Sequence, residues 1–392
     1  MVQERGLVWV LRVVVLNVII QLIVNLNWVI TVPVFIILFI SYQYFMGGSA
    51  TRQMKRSANG LLLITSLFIA IWLGELILRA AAVNASYSER NQQIISRIFT
   101  PSYLSIFNNS EPLWEPNTTS EDSRKEFDSS IKINNAGFVD RNWQVKRNKK
   151  RRVICLGDSF TQGVGAPTDS SYPRILETLY ADSVEVMNAG IAGSDPFYEY
   201  IKLKRDLLKY KPDVAVFAFN SSDIFDVVMR LGEERFSENY DRLRLKAPWW
   251  EPIYAQSYFF RLFIHQGLGY SYSFMDKTEL EMKEAKALND LEHCLDMCSE
   301  LCSINNIQCI FVFQPMRGEV FEKMQLEPAI RYAANKGYRY LDMRNVYLAN
   351  KIDSFQSYEY FWPIDGHNKP KGYALMAVAL KNQILRDSLL TR

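Results

Sequence analysis

The chain has 392 residues, of which 48% are hydrophobic and 22% charged, so one globular domain joined to apolar segments is the expected organisation. A formal net charge of +3 gives no ground for a nucleic-acid partner. Five cysteines (Cys155, Cys294, Cys298, Cys302 and Cys309) form no disulfide framework.

Residues 7–46 are almost continuously apolar and, as one helix, would far exceed a hydrocarbon core of roughly 30 Å. The triplet Asn25-Leu26-Asn27 divides them into spans over about 7–24 and 28–46, and a third follows over about 61–78. Arg12, Asn17 and Gln21 make the first span the most polar. Its polarity and its nearness to the second argue against a cleaved signal peptide. Glu75 and Arg79 stand four apart at the far end of the third, where they can pair. Arg5 precedes the first span, and Arg52, Lys55 and Arg56 lie between the second and third. Positive residues mark the cytoplasmic side. Residues 1–80 are therefore expected as a three-helix transmembrane region of the cytoplasmic membrane, with everything beyond on its outer side. The partners this implies are the lipid bilayer and, as an open question, another membrane protein.

Residues 81–133 are polar and without sustained periodicity, and read as a linker or collar. Asn84, Asn108 and Asn117 begin N-x-S/T triplets that carry little weight without a known host. The basic run Lys146–Arg152 reads as a solvated loop, with contact to an anionic surface as the sharper alternative.

From 134 to 392 a globular domain is expected. Val153–Leu156 is a short apolar run that breaks into Gly157-Asp158-Ser159, a buried strand ending in a turn with a hydroxyl at its tip. Asp158 and Ser159 are also good helix caps, which is the plainer reading of that turn. Further apolar runs at 184–187, 214–219, 308–313 and 339–342 read as strands. They alternate with helical patterns near 171–181, 196–210, 277–304, 318–335 and 370–387, as in a parallel sheet with helices on both faces. An aromatic-rich insert over 225–276 interrupts the alternation; it reads as a packed subdomain, with a substrate lid or membrane-facing patch as the alternative. Cys294, Cys298 and Cys302 share one helix face with Leu291 and Leu295 and read as packing, since no CxxC pair supports zinc binding with His293.

Three stretches add chemistry at strand ends. Asn188-Ala189-Gly190-Ile191-Ala192-Gly193 follows the second strand, and its glycines let backbone N–H groups approach an oxyanion. Asn220-Ser221-Ser222-Asp223 ends the third. Asp365-Gly366-His367 precedes a last helix opened by Pro370. Of the three histidines, His265 lies in the insert and His293 in a helical pattern. Only His367 sits in a strand-edge loop beside a carboxylate. A serine hydroxyl needs such a base, and the base an orienting acid, before it becomes a nucleophile.

In this order, GDSFTQGVG, NAGIAG and DGH resemble the SGNH (GDSL-type) hydrolases, and most of all their membrane-anchored bacterial branch. The resemblance covers roughly residues 134–388, with NNAGFVDR and KPDVAVFAF included. It implies a flavodoxin-like three-layer α/β/α sandwich and a Ser159 nucleophile with Asp365 and His367 as acid–base partners. It also implies an oxyanion hole from the Ser159 and Gly193 amides plus a third donor. The family's third motif ends in Asn-Asp, whereas here Ser222 holds the Asn position and Asn220 stands two residues back. The expected function is a serine esterase acting on acyl esters, such as O-acyl groups of a glycan, without metal or cofactor. An O-acyltransferase for an exported polysaccharide and a non-catalytic scaffold in an envelope assembly are the alternatives.

Overall fold

The computed structural model describes residues 66–67, 70–81, 114–147, 151–181, 183–230, 232–237, 253–254, 257–267 and 277–391. The chain divides into two compact units, residues 1–104 with 247–274, and residues 105–246 with 275–392.

In the first unit, Glu75 on the helix over 70–81 is fully buried. Its carboxylate accepts from the Ser257 hydroxyl at 3.0 Å and from the N–H groups of Tyr258 and Phe259 at 3.1 and 2.9 Å, which open the helix Tyr258–Leu262. Those N–H groups have no partner within their own helix, so the buried charge satisfies them. Arg79 pairs with the same carboxylate at 2.9 Å. Among the described residues no helix is long and apolar enough to cross a membrane. The spans expected at 7–24 and 28–46 lie outside the described residues, as do most of the third before residue 70 and much of the 225–276 insert.

The second unit begins with an antiparallel hairpin, β1 (Thr119–Ser123) and β2 (Asp128–Lys132), in a stretch whose polar composition reads as a linker or collar. Only one face of β2 is buried, through Ser129 and Ile131, and Ile131 packs with Ile133 and Val139. Five parallel strands follow: β3 (Arg151–Gly157), β4 (Val184–Asn188), β5 (Val214–Asn220), β6 (Gln308–Gln314) and β7 (Tyr340–Asp342). They lie side by side in the order β4-β3-β5-β6-β7. The chain thus steps from β3 to one side and then returns to the other. Such a reversal leaves a crevice at the carboxyl end of β3, where open α/β sheets bind ligands.

Side chains alternate across each strand and feed two cores. The short α1 (Ser159–Gln162) follows β3, and on one face of the sheet Val153, Cys155, Val186, Val216 and Val312 pack with α2 (Tyr172–Leu179) and the C-terminal helix, through Leu176, Tyr373, Met376 and Leu380. Residues between them, including Phe217, Phe219, Phe311 and Phe313, are buried and stack on one another. That second layer carries α3 (Pro196–Lys202), α4 (Ser222–Arg230) and α5 (Lys277–Ile304), with α5 packed on α3, α4 and β6. Cys294, Cys298 and Cys302 are all fully buried on α5, while His293 is half exposed with Nε2 3.5 Å from Glu233.

The expected helix over 196–210 is α-helical only to Lys202; it widens into a π-helical turn at Leu203–Leu207 and tightens at Leu208–Tyr210. The expected helix over 318–335 is a short turn, Gly318–Val320, followed by α6 (Glu327–Asn335). A further helix, α7 (Met343–Ala349), lies before α8 (Pro370–Arg386). The basic run is not wholly a solvated loop. Arg152, the second residue of β3, is fully buried, pairs with Glu185 at 2.7 Å, and donates to the carbonyls of Tyr210 and Gln144.

Candidate active site

The sheet delivers its polar residues to one edge. β3 ends at Gly157, and Asp158 caps the four-residue helix Ser159–Gln162 by accepting from the Phe160 N–H at 2.9 Å. Ser159 therefore stands at the start of a turn, above the carboxyl end of β3. Asp365 and His367 come from the loop before α8, which is closed on itself by Trp362 N–H donating to the His367 carbonyl at 2.8 Å and Gly366 N–H to the Trp362 carbonyl at 2.9 Å.

The three residues expected to act together are in line. His367 Nε2 is 2.7 Å from Ser159 Oγ, and Nδ1 is hydrogen bonded to an Asp365 carboxylate oxygen. The Phe160 ring lies 4.9 Å from the imidazole, centroid to centroid. Burial alone would push the Asp365 carboxyl up. The His367 hydrogen bond and charge, with the Arg124 guanidinium, outweigh it and hold the group down at about 2. Asp365 thus stays ionised and acceptor-only at neutral pH.

The 188–194 loop is tied to the same turn. Ile191 N–H donates to the Gly157 carbonyl at 3.0 Å, the Ser194 hydroxyl lies 3.3 Å from that oxygen, and Gln162 accepts from Ala192 N–H at 2.8 Å. Gly190 approaches the helix backbone so closely that a Cβ would fall 2.2 Å from Gln162 N. Gly193 adopts a left-handed conformation (φ 78°), and its N–H donates to no described residue.

The third motif has a different geometry. Asn220 is buried, its side-chain amide donating to Asp158 at 2.9 Å. Its amide oxygen accepts from both Ser222 N–H at 2.9 Å and the Ser222 hydroxyl at 2.6 Å; that hydroxyl also lies 3.2 Å from Asp158. Both candidate side-chain donors are thus engaged within the Asp158 cluster. A single hydroxyl proton cannot serve Asn220 and a substrate at once.

Behind this cluster lies a concentration of acid. Carboxylate oxygens of Asp158, Asp223 and Asp226 lie within 4.8 Å of one another, a spacing that fits a hard divalent cation. Asp223 Oδ1 and Glu199 Oε2 are buried without a hydrogen-bond partner. Burial, then repulsion from Asp158, pushes both of these carboxyls well above the usual carboxylate range, so a proton relieves the repulsion where no cation does.

Two functional neighbours carried no recognisable sequence signal. Arg124, in the β1–β2 turn, donates to the second Asp365 oxygen at 2.7 Å and to Asp122 at 3.1 Å. Glu126, in the same turn, accepts from the N–H groups of Ile364 and Asp365 at 2.8 and 2.6 Å.

Residues 153–380, more than half of the chain, match the family described as GDSL-like Lipase/Acylhydrolase. No curated protein sequence matches the chain. Among solved structures, a lipolytic protein of the G-D-S-L family from Desulfitobacterium hafniense DCB-2 is similar at 16% identity and a TM-score of 0.37, over 60% of this chain and 99% of that one. A lipase/acylhydrolase from Enterococcus faecalis is similar at 15% identity and 0.37, over 60% and 96%. A two-domain esterase active on acetylated mannans is similar at 15% and 0.36, over 62% of this chain and 50% of its own.

Proposed function

Since the chain belongs to the GDSL-like lipase/acylhydrolase family, whose members act on ester bonds, we propose that it is a membrane-anchored serine esterase using Ser159, His367 and Asp365 outside the cytoplasmic membrane. The observation that carries this reading is the unbroken line from Ser159 Oγ through the imidazole to Asp365. Ser159 attacks the ester carbonyl while His367 Nε2 takes its proton, and Asp365 balances the imidazolium. The imidazolium then protonates the departing alcohol, leaving Ser159 acylated, and water activated by His367 releases the acid. The N–H groups of Ser159 and Gly193 receive the carbonyl oxygen as it becomes an oxyanion. The third donor is Ser222 Oγ, whose single proton must leave Asn220, or the second N–H of the Asn220 amide, whose first stays on Asp158.

The substrate class we propose is an O-acyl ester on a glycan. His367 keeps 16% of its side-chain surface open, so the base is reached from solvent without a buried channel. Transfer of the acyl group to a sugar hydroxyl instead of water would use the same acyl-enzyme. The engagement of Asn220 and Ser222 with Asp158 favours a second reading, a scaffold that keeps the fold without turnover.

Labelling the purified full-length protein with a serine-reactive phosphonate separates the two. The esterase reading requires one adduct on Ser159, absent from Ser159→Ala; no adduct on the folded protein would leave the scaffold. The anchoring rests on the apolar stretches and on Arg52, Lys55 and Arg56. A single cysteine near Asn117, in a background without native cysteines, should react with an impermeant reagent on intact cells. Protection there would reverse the topology.

A further inference from the structure

The turn joining β1 and β2 touches the acid–base loop at three points that serve no need of the hairpin itself. Arg124 spans two carboxylates, its Nη1–H on Asp365 and its Nε–H on Asp122. Glu126 takes both N–H groups at the start of the Asp365-Gly366-His367 segment. Phe127, buried under the Arg124 guanidinium, packs on Trp362 with centroids 5.3 Å apart, and the Trp362 indole N–H donates to the Gly165 carbonyl at 2.9 Å. A planar guanidinium fixes the carboxylate it grips in direction as well as distance. The loop carrying Asp365 has no regular secondary structure to supply that rigidity.

We propose that Arg124 and Glu126 are positioning residues for the acid–base pair: Glu126 fixes the backbone of the loop, and Arg124 fixes the Asp365 carboxylate so that one oxygen faces His367. This rests on the serine-esterase reading. Arg124 also sets how strongly Asp365 favours the imidazolium, because its charge sits on the far oxygen of the same carboxylate. Among the described residues, the acidic and titratable groups tied into this site are Asp158 of the β3 turn, Asp122 on Arg124, Glu126 on the loop's N–H groups, and Tyr373 of α8, whose hydroxyl donates to the Val164 carbonyl. None of these supplies a second cation to Asp365.

The test uses the full-length protein and the variants Arg124→Met, Arg124→Lys, Glu126→Gln and Glu126→Ala. With an aryl ester, Arg124→Met should lose on the order of 100-fold in kcat/KM, mainly through kcat. The acid limb of its pH profile should move upward by about 0.5–1 pH unit, because a cation near the imidazolium is gone. Arg124→Lys, which keeps the charge without the fork, should hold the acid limb and recover only part of the rate. Glu126→Ala should lose activity, and Glu126→Gln, which keeps an acceptor oxygen without the charge, should recover part of that loss. With only three histidines in the chain, the Nδ1 proton of His367 can be followed by NMR on isotopically labelled protein. Its signal should weaken and exchange faster in Arg124→Met and persist in Arg124→Lys. An unchanged Nδ1 proton together with an unmoved acid limb would overturn the proposal. If Ser159→Ala hydrolyses the ester as well as wild type, the esterase reading fails instead, and the Nδ1 proton still decides the role of Arg124.

Discussion

His367 Nε2 sits 2.7 Å from Ser159 Oγ across 208 residues of sequence, one partner at the end of β3 and the other in the loop before α8. Asp365 reaches the same imidazole with only Gly366 between them in sequence, while its other oxygen is held by Arg124 of the distant hairpin. Asp365→Asn keeps the shape but lets the amide hold the wrong tautomer and removes the charge that balances the imidazolium. A loss of roughly 10⁴-fold in kcat is expected on an aryl ester, with thermal unfolding near that of wild type. A loss below tenfold would mean that Asp365 only shapes the turn.

Ser222→Asn should raise turnover. The Ser222 hydroxyl is committed to Asn220 Oδ1 at 2.6 Å, whereas an amide carries two N–H groups, one of which can face the developing oxyanion while the other stays in the cluster. A missing oxyanion donor costs roughly 100–1000-fold, so even partial restoration should be visible as about a tenfold gain in kcat. Steady-state kinetics of the purified variant, with Ser222→Ala beside it, would show whether the position faces the substrate at all.

Much of this site is legible from residues in one dimension. GDSFTQGVG and DGH hold their acting groups within single turns, so the chemistry is visible once the strands are recognised. The Asp158 cluster is not, because it draws Ser159, Asn220 and Ser222 from two strand ends and depends on which lone pair each donor takes. Nor is the hairpin. β1 is Thr-Ser-Glu-Asp-Ser, with no β-branched hydrophobic or aromatic residue to set a period of two, and its strand character comes from pairing with β2. In Ser129-Ser130-Ile131-Lys132-Ile133 the alternation is present, but it is too short to stand out from a polar collar. Arg124 in such a stretch looks like any solvated base.

Glu199→Gln should change the pH dependence of stability. The Glu199 carboxyl is pushed far above its ordinary value of 4.5 by burial and by Asp158, so the folded state binds its proton more tightly than the unfolded one. The stability it contributes is present below about 4.5 and declines as pH rises through the folded value. The glutamine variant loses this slope. Its midpoint of thermal unfolding should match wild type near pH 4.5 and exceed it near pH 8, as read by calorimetry at the two pH values. A variant that is less stable at both would assign Glu199 to an ion pair or a cation instead.

Gly190→Ala should loosen the oxyanion loop. Its Cβ would meet the Gln162 nitrogen at 2.2 Å and the Thr161 carbonyl carbon at 2.5 Å, both backbone atoms that no rotamer change can move. Overpacking of this kind costs about 1–3 kcal/mol. The displaced loop carries Gly193, so kcat should fall by more than the loss of folded protein explains. Kinetics corrected for the folded fraction would test this, and an unchanged kcat would place the 188–194 loop outside the oxyanion site.

The hairpin also bears on where this enzyme begins. The family match starts at residue 153, inside β3, and a chain cut there would take Arg151 and the buried Arg152 from β3 but retain the other four strands of the parallel sheet and all three members of the Ser159–His367–Asp365 line. It would nonetheless release the guanidinium from Asp365 and leave two N–H groups of the 364–367 loop without their acceptor. Such a fragment would also lack the buried Phe138, Asp140 and Trp143, and its silence would be mistaken for a decayed enzyme. Recombinant work should therefore start upstream of Thr119, treating the apparent linker as the first working part of the catalyst.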